Sequence, residues 1–353
     1  VYSSLGSTQE TINSLLGGKS GIVPGPLFGI PVSSAPFPDL RYRSLQYAAE
    51  NLWNKIDTSL IDQRSTLFVY CAAKGDIRTI DSGSDLDSYP SPLLSQQSEY
   101  VLDVLGIKPA RCLSVSNACA SGAVGVEIAK EFLEQGIFST AILFGFDSIS
   151  HFVASGFNSL GALSPERARP FDSSRNGLTL GEGVALAVLH TDSDRVGDCI
   201  IAGAGCSNDA NHRTGPSRTG DGLLRAIVAA AKDSGSDDCS IGAVKCHGTA
   251  TAYNDAMEAK AISNFFNGPI PPCFSIKGAL GHTSGGGSLM ELLLSAHFLK
   301  SRSVPPTAGF SVLGVDEALP ISSCKQHMSG DSLLCLSAGF GGLNCAVILK
   351  DAT

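Results

Sequence analysis

The chain closes two series of apolar runs in the same way. A Gly-rich turn feeds a strand-like segment at GEGVALAVL, near Gly181, and again at GFGGLNCAVIL, near Gly339. In each series strand-like runs alternate with helical patterns, and a break at Asp192–Asp198 (DSDRVGD) separates the two. A repeat of this kind restricts the chain to α/β folds built from two similar halves related by a pseudo-twofold axis. The strand-like runs are Leu67–Cys71, Cys112–Ser116, Thr140–Phe144 and Val184–His190 in the first part. In the second they are Asp198–Gly203, Ala243–Cys246, Leu333–Leu336 and Ala346–Leu349. Apolar residues at helix spacing predict helices over Ser44–Lys55, Ala120–Gln135, Asp221–Lys232, Ala256–Phe265 and Gly286–Leu299. Asp81–Gln97, rich in Ser, Asp and Pro, reads as a loop. The expected division is into residues 1–192 and residues 193–353.

Composition narrows the class. Of 353 residues, 43% are hydrophobic and 16% charged, which argues for a large buried interior and a covered subunit surface, and against disorder. The longest apolar runs, such as Gly183–Leu189, fall well short of the roughly 20 residues that a membrane span needs. The opening VYSSLGSTQE lacks a basic segment followed by an apolar one, so no signal peptide is visible. The eleven cysteines are scattered, odd in number and without a CxxC pair, and no Cys/His cluster has zinc spacing. The expectation is a reduced, cytoplasmic protein with no metal. A net charge of −8 disfavours nucleic acid as a partner, while leaving room for a local basic patch.

Four islands carry chemistry: NACASG from Asn117, HGTATAYNDAMEAKAI from His247, KGALGHTSGGGSLMELL from Lys277 and SAGFGGLNCAVIL from Ser337. Cys119 follows a strand and starts a helix among small residues. It is a packing cysteine, or it is a nucleophile whose thiol the positive end of the helix makes more acidic. The two histidines turn the balance toward the nucleophile. His247 ends the apolar run AVKC before Gly248, and His282 lies between Gly281 and Thr283 in a Gly-rich loop before a helix. Lys277 is a surface lysine or a buried one with an electrostatic role. Asp255 and Glu258 fit a helix cap and first-turn acid. Phe340, in GFGG, is a core aromatic or a side chain at the site.

Together these islands, with ALSPERARPFDSSRNGLTLGEGVALAVL from Ala162 and the opening LGSTQETINSLLGGKSGI, closely resemble the β-ketoacyl synthases, the elongating condensing enzymes of fatty acid and polyketide synthesis. The resemblance covers nearly the whole chain. It implies the five-layered α-β-α-β-α thiolase fold, with the nucleophile in the first half and both histidines in the second. It makes Cys119, His247 and His282 a Cys–His–His set with Lys277, and gives Glu258 and Asp255 supporting places, with Glu258 the partner of Lys277. Thr249 and Thr251 match the threonines that hydrogen-bond a phosphopantetheine arm, and Phe340 the phenylalanine that gates acyl and malonyl compartments. The backbone N–H groups of Cys119 and Phe340 match an oxyanion hole.

What the resemblance implies about function follows. The acyl group passes to Cys119, and a malonyl-carrier protein then undergoes decarboxylative Claisen condensation with it, in fatty acid or specialised polyene or polyketide synthesis. The partner is an acyl carrier protein that brings its own phosphopantetheine, so no diffusible cofactor is implied. A homodimer, or a heterodimer with a second ketosynthase-like chain, is expected. Arg41 and Arg43 are candidates for a basic docking patch, or a solvated face. The rival is a non-catalytic chain-length-factor subunit, which usually loses the cysteine; a thiolase or CoA-primed synthase fits the GHTSGG histidine poorly. The departures are a first strand missing or clipped before VYSSLG, an unfamiliar segment around Asp81–Gln97, Ala250 in place of the usual Gly or Ser, and Asn176 in place of Asp.

Overall fold

A computed structural model describes residues 1–78, 93–191, 199–235 and 240–352. The apolar runs assemble into two mixed sheets. From edge to edge the first takes Gly6–Ser7, Tyr2–Ser3, Gly183–His190, Thr140–Asp147, Thr66–Cys71 and Arg111–Val115. The second takes Ile200–Asn208, Leu343–Lys350, Ser332–Gly339, Ile241–Lys245 and Cys273–Phe274. Apart from Gly6–Ser7, both sheets follow one order by chain position: first, fifth, fourth, second, third. Strand directions match as well. The second strand is parallel to the third and fourth, and the fifth is antiparallel to both its neighbours. The two Gly-rich closing runs of the sequence are this pair of fifth strands.

The third strand of each sheet leads into a helix lying between the sheets, Ser121–Glu134 in one case and Gly287–Lys300 in the other. Gly287–Lys300 is apolar on nearly every face, which suits a helix covered on all sides, while Ser121–Glu134 turns Glu131 and Glu134 to solvent. In Gly287–Lys300 only Leu293, His297 and Lys300 escape full burial. The two helices pack on each other and on both sheets, and share one apolar core with them. Leu45–Trp53 and Leu94–Leu105 cover the outer face of the first sheet, and Asp221–Ser234 and Ala252–Phe265 that of the second. The result is the five-layered arrangement that the resemblance implies.

The small residues around Cys119 have a packing role beside any chemical one. The N–H of Gly122 donates to the carbonyl of Gly285 at 3.0 Å, and that of Ala123 to Oγ of Ser288 at 3.1 Å. The starts of the two central helices are therefore stitched together. A Cβ on Gly122 would stand 2.3 Å from the Leu289 nitrogen, and one on Gly285 2.1 Å from the Ala73 nitrogen. Glycine is required at both places by close backbone approach.

The reading of Asp81–Gln97 as loop needs correction at its end. A helix starts at Leu94 and buries Gln97, Ser98, Val101 and Leu105 against the first sheet. Its polar first turn hides the apolar stripe that begins only at Val101. Residues 81–92 of that segment, and the break at 192–198, lie outside the described residues.

Candidate active site

Cys119 sits in a single 3-10 turn, Ala118–Ala120, between the Arg111–Val115 strand and the Ser121–Glu134 helix. Ala118 turns the chain sharply, with φ +47°. Ser121 fixes the turn: its Oγ accepts from the Asn117 N–H at 2.8 Å and donates to the Ala118 carbonyl at 2.6 Å. The thiol is 7% exposed and opens into a cavity of about 530 Å³. The N–H of Phe340 hydrogen-bonds its sulfur.

The same cavity is lined by His247, His282, Thr249, Thr251, Phe340 and Asn176. The imidazoles of His247 and His282 meet edge to face, ring centres 5.7 Å apart. Nδ1 of His282 accepts from the Ser284 N–H at 3.0 Å. The Lys277 ammonium stands 3.3 Å from Nδ1 of His247. With Nδ1 occupied on each ring, the proton of the neutral imidazole sits on Nε2, the remaining donor toward the cavity. Burial, followed by the charge of Lys277, lowers the pKa of His282 to about 3 and that of His247 well below its ordinary value. Both rings are neutral donors at pH 7.

The loop carrying His282 is pinned by the Thr179–Gly181 segment, whose Thr179 carbonyl accepts from the His282 N–H at 2.6 Å and whose Gly181 N–H donates back to the His282 carbonyl at 3.0 Å. The strand end carrying His247 is held by Glu258, whose carboxylate accepts from the N–H groups of His247 and Gly248. Asp255 reaches across to the Phe171 N–H at 2.8 Å and stands 3.8 Å from Nε of Arg175. The RPFD segment is thereby tied to the start of the Ala252–Phe265 helix. The hydroxyls of Thr249 and Thr251 share a hydrogen bond at 2.9 Å. Ala250 between them has φ +64°, a left-handed conformation that favours glycine.

Two expectations change. Lys277 does not pair with Glu258; its Nζ is 2.6 Å from Oε1 of Glu291, a carboxylate on the central Gly287–Lys300 helix. Glu291 was not foreseen, although a lone acid in an otherwise apolar helix has to find a cation when buried. The Cys119 thiol is also not made more acidic. Burial outweighs Lys277 and the Phe340 N–H, and pushes it up to about 12. Of the two arginines offered for a docking patch or a solvated face, Arg41 is exposed and pairs with Asp39 at 2.7 Å, and Arg43 pairs with the buried Glu182 at 2.9 Å. Phe157, from the His151–Ser159 helix, is a cavity residue that the sequence did not reveal. Its ring lies 5.6 Å from that of Phe340 and 6.2 Å from that of His282.

Family models place the chain. Beta-ketoacyl synthase, N-terminal domain, matches residues 103–195, and Beta-ketoacyl synthase, C-terminal domain, matches residues 199–311, together more than half the chain. The chain belongs to the beta-ketoacyl synthase family. It is 31% identical over 257 residues to 3-oxoacyl-[acyl-carrier-protein] synthase 2 of Vibrio cholerae, a match covering 67% of this chain and 62% of that protein. It is 31% identical over 254 residues to a putative polyketide beta-ketoacyl synthase 1 of Streptomyces halstedii, covering 67% and 60%. The chain thus spans about three fifths of the length of these relatives. Among solved structures, a chain from a ketosynthase in complex with its chain length factor, from Xenorhabdus doucetiae, superposes with a TM-score of 0.85 at 25% identity, covering 99% of this chain and 95% of that one. The ishigamide ketosynthase/chain length factor shares the fold, with a TM-score of 0.89 at 24% identity and coverage of 99% and 97%. Among the described residues no cluster of His, Cys, Asp and Glu is arranged to hold a metal, and no helix is long and apolar enough to cross a membrane.

Proposed function

We propose that this chain is a β-ketoacyl-[acyl carrier protein] synthase that forms a carbon–carbon bond by decarboxylative condensation. The observation carrying this reading is that a cysteine sulfur and two neutral imidazole donors open on one cavity. In the first half-reaction the sulfur of Cys119 attacks an acyl thioester brought by a carrier protein. The C–S bond to pantetheine breaks as the new C–S bond forms, and the thiol proton ends on the departing pantetheine sulfur. Since burial keeps Cys119 protonated at rest, ionisation accompanies attack rather than preceding it. The N–H groups of Cys119 and Phe340 then act as donors to the thioester oxygen, where the charge develops.

In the second half-reaction a malonyl thioester loses CO₂, and the electron pair of the broken C–C bond becomes an enolate. The Nε2–H groups of His247 and His282 donate to the enolate oxygen. Two neutral donors suit this task because they hold negative charge without surrendering a proton to the carbanion. The enolate carbon attacks the acyl-Cys119 carbonyl, and collapse of the adduct returns the thiolate, which takes a proton from water. Lys277 positions His247 through Nδ1. Thr249 and Thr251, at the cavity wall, hydrogen-bond the pantetheine arm. Phe340 and Phe157 together form the gate over the sulfur. The pantetheine arrives on the carrier protein, the protein works in the cytoplasm, and its partner is a second copy of itself or another ketosynthase-like chain.

The test is to supply malonyl-carrier protein and measure CO₂ release by wild type, His247→Ala and His282→Ala. Each variant is expected to lose about 10²–10³ in rate. Wild type that binds malonyl-carrier protein but releases no CO₂, alone or with a ketosynthase-like partner, contradicts the reading and favours the chain-length-factor role.

A further inference from the structure

Lys245 is a fully buried lysine to which the reading above gives no task. It ends the Ile241–Lys245 strand, two residues before His247. Its Nζ lies 2.6 Å from Oε2 of Glu291 and donates to the Leu336 carbonyl at 2.8 Å. The other oxygen of Glu291, Oε1, holds Lys277 at 2.6 Å. One carboxylate therefore carries two ammonium groups, one on each oxygen, and none of the three side chains is more than 4% exposed.

Placing two buried cations on one carboxylate is an expensive arrangement, since each ion has given up its hydration and the further acid that both feel, Glu258, is taken by backbone N–H groups. A single lysine would already satisfy Glu291. The geometry points to what the second one does. An ammonium alone with a carboxylate is drawn to both oxygens. With Oε2 taken by Lys245, Lys277 is confined to Oε1 and has donors left over, one of which meets Nδ1 of His247 at 3.3 Å. The charged or titratable groups nearby have other engagements: Glu258 holds the His247 backbone from below, and His282 is fixed by the Ser284 N–H.

We propose that Lys245 is a positioning residue for this site: by occupying one oxygen of Glu291 it turns Lys277 toward His247, and so fixes His247 with its proton on Nε2. The part of the claim that concerns rate rests on the condensing reading. The part that concerns the His247 tautomer does not.

The test uses ¹⁵N-histidine-labelled wild type, Lys245→Gln and Lys245→Met, with His247→Gln to assign the signal. Lys245→Gln keeps a hydrogen-bonding end near Glu291 and Leu336, so it guards against simple misfolding. The imidazole ¹⁵N spectrum of wild type is expected to show His247 in one tautomer, protonated at Nε2, and both variants a mixture. Malonyl decarboxylation is expected to fall about tenfold or more in the variants, while acyl transfer to Cys119 stays within about threefold of wild type. A wild-type His247 protonated at Nδ1 overturns the proposal without any variant. So does a single Nε2–H tautomer that survives in the variants, or an equal loss of both half-reactions, which marks a purely structural lysine. A wild type that neither loads nor decarboxylates sinks the condensing reading instead, and the ¹⁵N spectra still decide the role of Lys245.

Discussion

Keeping two imidazoles neutral in a dry cavity makes stability depend on pH. His282 ionises near 3 when folded and near 6.5 when unfolded. Below 6.5 the unfolded chain takes up a proton that the folded one refuses. Its contribution is therefore present above 6.5 and lost as pH falls toward 3, and His247 moves the same way. At the full slope of about 1.4 kcal/mol per pH unit, His282 costs about 2 kcal/mol between pH 6.5 and 5. Glu258, raised by burial to about 7, and Asp147 and Asp255, raised to about 6, have the opposite sign: the folded protein gains stability as pH falls through those values. The informative quantity is thus the difference between variant and wild type. His282→Asn should lose about 2 kcal/mol less than wild type between pH 6.5 and 5 in urea denaturation. Equal losses would mean that His282 is not held neutral. At this scale the sequence was informative where a reactive residue sits beside small residues at an element boundary, as Cys119, His247 and His282 do. It misled where the answer depends on what lies across the fold. Glu291 is fourteen positions from Lys277 in the chain and one hydrogen bond from it in space, and the burial that the fold imposes on Cys119 outweighs the charge of Lys277 beside it.

The element that most constrains the site is the pair of central helices, whose starts approach to backbone contact at Gly122 and Gly285. The Cys119 turn rests on one helix and the His282 loop leads into the other, so this contact sets their relative placement. Gly285→Ala would put a methyl 2.1 Å from the Ala73 nitrogen and 2.9 Å from the Ala118 carbonyl. Neither neighbour is a flexible side chain. The expected result is a loss of about 3 kcal/mol or more in urea denaturation, with acylation of Cys119 impaired at temperatures where the variant stays folded. A stable, fully active Gly285→Ala would show that the two helix starts have room to move. The helices themselves were legible because apolar residues recur along them at helix spacing. Leu94–Leu105 was not, because its polar first turn reads as loop, and His151–Ser159 was not, because its apolar stripe is short, with Val153 and Ala154 its fully buried positions. Phe157 was lost with the second of these.

Across the whole molecule, the duplicated strand order leaves Arg111–Val115 at the edge of the first sheet, with Thr66–Cys71 as its one partner among the described residues. Its exposed backbone carries neither a proline nor a bulge, and Cys112 and Leu113 are only half-buried. An open edge of this kind invites a second strand, and a symmetric dimer supplies one. Sedimentation at micromolar concentration should give twice the chain mass, and Leu113→Pro should reduce it to the chain mass. A wild-type monomer would point to a heterologous partner at that edge. The repeat at GEGVALAVL and GFGGLNCAVIL was enough to foresee two related halves. The matched strand order could not be read from it, because order within a sheet depends on crossovers that apolar patterning does not encode.

The central claim is that Cys119 takes an acyl group from a carrier protein. The most direct measurement is intact-protein mass after mixing with acyl-carrier protein, for wild type and Cys119→Ala. The account predicts a gain of one acyl group in wild type and none in the variant. A gain that persists in Cys119→Ala would contradict it, as would the absence of any gain in wild type across short and long acyl chains, alone and with a ketosynthase-like partner present.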